Sequence, residues 1–129
     1  MKKIGLYILI AVFLITSPVY AADTGKIAVA AEGKAATAEV SRVAARSPYF
    51  LFFDWDGKLL ESVENPYKAA RRRAGTAVVP FLAQKAATFV VAGKFGENMI
   101  RAMKAKGIEY LEFQGNAEAA FKKVLEERK

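Results

Sequence analysis

The stretch from Ala87 to Gly107, ATFVVAGKFGENMIRAMKAKG, constrains the chain more than any other. A compact apolar run, Ala87 to Ala92, turns through Gly93-Lys94-Phe95-Gly96 and continues into a segment of helical character that stops at Gly107. A short apolar run followed by a glycine turn and an amphipathic segment predicts a buried strand handing over to a helix. Parallel strands covered by helices on both faces are apolar on both faces, which suits Phe89-Val90-Val91-Ala92. The glycines permit a sharp turn and close approach of backbone or ligand. A helix starting there directs its N-terminal N–H groups at the turn, and ligands of open α/β sheets gather at the carboxyl ends of strands. A lone Gly-x-x-Gly turn is weak evidence, and taken by itself it reads first as a plain tight connection.

The remaining pattern fits around this unit. Lys26 to Ala31 is a short apolar run suited to a first strand, and Glu32 to Ser47 reads as a long loop with one helical turn. Pro48 to Trp55 (PYFLFFDW) and Lys58 to Glu64 (KLLESVE) are strand-like runs separated by Asp56-Gly57, a hairpin signal. Four consecutive core-type residues, Phe50 to Phe53, imply a strand buried on both faces. After Asn65-Pro66 comes a basic connector, Tyr67 to Gly75. Thr76 is the expected cap of a helix reaching about Ala86, with Pro80 tolerated near its first turn. Ile100 and Met103, with Met99 beside them, give the next helix its apolar stripe. Ile108 to Phe113 predicts a last strand. Asn116 is placed to cap a final helix, with Ala117, Ala120, Phe121, Val124 and Leu125 on one face. The order β, loop, β, β, α, β, α, β, α predicts a three-layer α/β/α domain with a mixed sheet.

The first 21 residues read differently. Lys2 and Lys3 precede an uncharged apolar run, Ile4 to Ile15, and Ser17-Pro18-Val19-Tyr20-Ala21 supplies a cleavage-type sequence. This pattern predicts an export signal cut after Ala21, leaving one domain over residues 22–129 in a periplasmic or secreted location. An apolar run of about 12 residues is short of the ~20 that span a bilayer, so retention as an anchor is the secondary alternative. Removing Lys2 and Lys3 leaves 18 basic against 13 acidic side chains, a net charge of +5, which favours anionic partners. Export disfavours nucleic acid among them. The chain contains no cysteine and no histidine, which excludes disulfides, thiol or imidazole catalysis and thiolate- or imidazole-ligated metals.

Several of these stretches, in this order and spacing, resemble one known family. They are KIAVA from Lys26, SPYFLFFD from Ser47, the Asp56-Gly57-Lys58 turn, Glu64-Asn65-Pro66, Ala74-Gly75, and VVAGKFGENMIRAMKAKGIEY from Val90. Together they are similar to the dinitrogenase iron–molybdenum cofactor biosynthesis family, from Lys26 to about Leu125. The resemblance implies a ribonuclease-H-like fold with a mixed five-stranded sheet. It also implies a role in carrying metal–sulfur clusters, typically molybdenum- or iron-containing, which some relatives hold by basic and apolar contacts instead of cysteine. Two stretches depart from the family. Its usual His-Phe-Gly-Arg reads Val43-Ala44-Ala45-Arg46 here, and its histidine- and glycine-containing connector reads Arg71-Arg72-Arg73-Ala74-Gly75.

In such a fold Arg42, Arg46, Lys68, Arg71, Arg72, Arg73 and Lys94 are expected to gather around a helix N-terminus at one end of the sheet. Gly75, Gly93 and Gly96 would shape its backbone. Guanidinium groups fork toward oxyanions, so the cluster suits a molybdate-like, thiometallate or phosphate-like anion held non-covalently as cofactor. A solvated basic loop holding no cofactor is the competing reading. Asp54 and Asp56 invite a nuclease comparison, but a hairpin aspartate has a conformational use and no further carboxylate completes a two-metal site. Met99 and Met103 read as core. Two functions follow: a carrier of an anionic metal–sulfur cluster or metal oxyanion, or a cofactor-free module binding an acidic protein. A membrane surface enters only if the leader is retained. No residue set supports an enzyme.

Overall fold

The computed structural model describes residues 25–128, and the leader assignment lies outside them. Five strands form one sheet: β1 (Lys26–Ala31), β2 (Tyr49–Phe53), β3 (Leu59–Glu64), β4 (Ala87–Ala92) and β5 (Glu109–Glu112). Their spatial order is β3-β2-β1-β4-β5. β2 is antiparallel to both β1 and β3, and β4 is parallel to both β1 and β5. Three helices cover it: α1 (Ala74–Gln84), α2 (Glu97–Ala105) and α3 (Ala117–Glu127). This is the mixed five-stranded α/β/α architecture expected from the pattern.

Strand periodicity sorts the apolar residues into two cores. Ala28, Ala30, Phe50, Phe52, Val90 and Ala92 face α1 and α2, meeting Val78, Val79, Leu82, Met99 and Met103. Ile27, Val29, Leu51, Phe53, Phe89 and Val91 face α3, meeting Ala117, Ala120, Phe121 and Val124. The aromatic strand is therefore buried on both faces, and each large side chain there contributes roughly 1.5–3 kcal/mol by leaving water. In α2 the buried stripe is Met99 and Met103, with Ile100 packed at its margin. Asn116 caps α3, accepting a hydrogen bond from the Ala119 N–H at 2.8 Å.

Three local expectations need correction. The hairpin loop is wider than Asp56-Gly57. It closes on Asp54 and Lys58, with the Asp54 N–H donating to the Lys58 carbonyl at 3.0 Å. The Asp54 carboxylate accepts from the N–H groups of Asp56 and Lys58, both at 2.9 Å, and Gly57 has φ +93°. Asp54 is thus committed to the turn. Secondly, α1 begins at Ala74, two residues before Thr76, and its second residue, Gly75, packs closely on Met99. A Cβ on Gly75 would lie 3.1 Å from the Met99 Cβ. Arg73 takes the cap position in a left-handed conformation (φ 57°, ψ 28°) with no side-chain cap. Thirdly, the earlier start puts Pro80 at the seventh residue of α1, beyond the first turn.

Candidate functional site

Three segments converge at the carboxyl ends of the parallel strands. The 93–96 turn follows β4, the 41–46 segment lies alongside it, and the 65–73 connector leads into α1. Gly93 N–H donates to the Ser41 carbonyl at 2.8 Å and Ala44 N–H to the Lys94 carbonyl at 3.0 Å. Ala44–Arg46 forms a single 3-10 turn, the one helical turn expected in this loop. The connector is tied on by Asn65, which is 1% exposed. Its Nδ2 donates to the carbonyls of Ala45 (3.0 Å) and Ser47 (2.9 Å), while its Oδ1 accepts from the Tyr67 N–H at 2.9 Å. The Arg46 guanidinium adds a hydrogen bond to the Ala70 carbonyl.

Between these segments lies a concavity of about 320 Å³. Val43, Ala45, Ala74 and Met99 supply apolar lining. Arg46 and Arg73 supply positive charge, and Thr76, Glu97 and Asn98 the remaining polar groups. Gly75 and Gly96 complete it. The starts of α1 and α2 both open here. A helix leaves its first N–H groups without intrahelical partners, and neither start carries a side-chain cap. α3, capped by Asn116, is the contrast. The lining therefore offers N–H and guanidinium donors beside an apolar wall, with the Glu97 carboxylate as its single acidic member.

Of the residues singled out from sequence, the concavity gathers Arg46, Arg73, Gly75 and Gly96. Arg42, Arg71, Arg72, Gly93 and Lys94 belong to the same three segments but are not part of its lining. Gly93 has a packing reason of its own: a Cβ there would come within 2.9 Å of the Arg42 backbone. Lys68 turns to Glu64, with Nζ 2.5 Å from Oε2. That hydrogen bond lowers the Glu64 carboxyl pKa and raises that of the Lys68 ammonium. Val43, Ala45, Thr76, Glu97 and Asn98 were not singled out. For Glu97 and Asn98 the available signal was their position directly after Gly96, in the first turn of α2.

A larger groove of about 540 Å³ opens at the opposite end of the sheet, beside Gly25, Phe89 and Lys106. Trp55 lines it with the Arg128 guanidinium stacked 4.2 Å over its ring, and none of the candidate residues reaches it. Among the described residues no three acidic, cysteine or histidine side chains come together as a metal-binding group.

Residues 25–127 match the family described as dinitrogenase iron-molybdenum cofactor. The chain belongs to that family. A NifB-like protein of Thermotoga, assigned to the DUF35 family and solved by NMR, is 30% identical. That match covers 81% of this chain and 90% of the Thermotoga chain, with a TM-score of 0.68. The apo form of the orange protein of Desulfovibrio gigas shares the fold at a TM-score of 0.74 and 24% identity, over 80% of this chain and 88% of that one. A search of the curated proteins finds no match.

Proposed function

We propose that this protein is a small carrier that holds an anionic metal–sulfur cluster or metal oxyanion, as cargo, in the concavity between α1 and α2. One observation carries the reading: in a chain of this family, Arg46, Arg73 and two uncapped helix starts face a single recess. The donor set suits an anion held by charge and hydrogen bonds, since the chain has no thiolate or imidazole to ligate a metal. The apolar wall of Val43, Ala45, Ala74 and Met99 refines the choice of cargo. An oxyanion loses tightly held water against such a wall, whereas the sulfido surface of a thiometallate is softer and more weakly hydrated. The preferred cargo is therefore sulfur-rich. Binding and transfer, not turnover, are its task, and the leader read in residues 1–21 makes it an exported carrier.

Titration with tetrathiomolybdate, molybdate and phosphate tests this. Wild-type protein binds tetrathiomolybdate at least tenfold more tightly than either oxyanion. Loss of a charge-assisted hydrogen bond costs about 1.5–3 kcal/mol, so Arg46→Ser and Arg73→Ser each weaken binding roughly 10- to 100-fold. Arg71→Ser and Arg72→Ser stay within about twofold, because those side chains do not line the recess. A wild-type protein that binds none of the three anions contradicts the carrier reading. Equal affinity in the Arg46→Ser and Arg73→Ser variants contradicts the site.

A further inference from the structure

Among the described residues α3 carries ion pairs on its outer face and α2 carries none. On α3, Lys123 lies within 3.8 Å of both Glu126 and Glu127. The other ion pairs among the described residues are Lys68–Glu64 and Lys85–Glu61. α2 contributes to none of them. Its exposed Arg101 follows Glu97 by four residues, the spacing that favours a helical ion pair, yet its guanidinium donates to the neutral Asn98 Oδ1 at 2.9 Å. Lys104, one turn further on, is exposed and, among the described residues, has no carboxylate at ion-pair distance. The half-buried Ile100 lies with Arg101, Lys104 and Glu97 around a shallow groove of about 230 Å³. Glu97 also lines the concavity, so groove and concavity share a rim.

We propose that this outer face of α2 is a docking surface for an acidic, amphipathic segment of a partner protein. The partner's carboxylates pair with Arg101 and Lys104 while an apolar side chain covers Ile100. An unpaired arginine and lysine flanking a recessed apolar residue is the complement of such a segment. A lipid surface is matched less well, since Ile100 is recessed and no aromatic side chain lines the groove. The groove is small, so the encounter is transient. The shared rim brings that partner to the mouth of the concavity. The docking face depends on the position of the concavity and not on its occupant, so it stands apart from the cargo reading.

The test is fluorescence anisotropy with a labelled 20-residue peptide carrying leucine and glutamate at helical spacing. Wild-type protein binds it saturably, and binding weakens at least fivefold between 50 and 300 mM NaCl, as expected for exposed charges. The double variant Arg101→Glu/Lys104→Glu weakens binding at least tenfold, and Ile100→Ser weakens it at unchanged salt dependence. Lys122→Glu/Lys123→Glu on α3 stays within twofold. Tetrathiomolybdate affinity is the same in the α2 double variant as in wild type. Equal peptide binding by the α2 double variant, or an equal loss in the α3 variant, overturns the proposal. So does tighter binding of wild type to vesicles with 30% phosphatidylserine or to a DNA duplex, either of which would assign the face to another partner. Loss of tetrathiomolybdate binding in the α2 variant would merge the two sites and overturn it too.

Discussion

At the residue scale, the Asn65 amide joins what the chain keeps far apart. It satisfies the carbonyls of Ala45 and Ser47 and receives the Tyr67 N–H, all in a nearly dry position. Asn65→Ala leaves those groups without partners, so it costs roughly 2–3 kcal/mol in urea denaturation. Asn65→Asp costs more, because an ionised carboxylate would face two carbonyl oxygens. A change below about 0.5 kcal/mol in either variant would show that the connector holds without this amide. The sequence displays Asn65-Pro66 as the end of a hairpin, and that much is local. Its partners 18 and 20 residues away carry no periodic signature, which is why its tie to the site was illegible. Arg73 is similar: three consecutive arginines look alike in sequence, and only the left-handed backbone at Arg73 and the helix behind it set that one apart.

At the element scale, helix and strand identities followed from periodicity, while their ends depended on tertiary packing. β1 and β4 were legible to the residue because apolar runs bounded by glycine or charge leave little freedom. The start of α1 was not: Arg73 in a left-handed conformation takes the cap position that Thr76 was expected to hold, and Gly75 in the first turn packs on Met99, a contact with no local signature. That shift leaves Pro80 inside the helix, where it can donate nothing to the Thr76 carbonyl one turn back. Pro80 is exposed, so no packing compensates for it. Pro80→Ala therefore raises stability by about 1–3 kcal/mol, read as an increase in thermal midpoint. A lowered midpoint would mean that the proline ring, or the stiffness it lends the unfolded chain, outweighs the missing hydrogen bond.

At the scale of the whole molecule, stability is expected to be flat across neutral pH, because the chain has no histidine or cysteine to titrate there. The Glu64–Lys68 pair contributes at the two edges of the plateau. Glu64 titrates below its ordinary value of 4.5 in the folded state, so its contribution is present above that value and fades as pH falls through the lowered one. Lys68 titrates above its ordinary 10.5, so its contribution is present below that value and fades as pH rises through the raised one. Both groups are exposed, so the effect is small and screened by salt. Thermal midpoints of wild type and Glu64→Gln should converge at acid pH, and a persistent gap there would contradict the pairing. The sheet and its layers were readable from element order, and the convergence of three loops at one end followed from the fold that the family resemblance implies. Which arginines line the recess was not, because exposed cations obey no pattern of burial. The central claim, that this recess carries an anionic metal–sulfur cargo, is tested most directly by the visible spectrum and metal content of the protein isolated without oxygen from its native host. The account predicts charge-transfer bands with stoichiometric molybdenum or iron, both lost in Arg46→Ser/Arg73→Ser. A colourless, metal-free protein that also fails to take up added tetrathiomolybdate would contradict it.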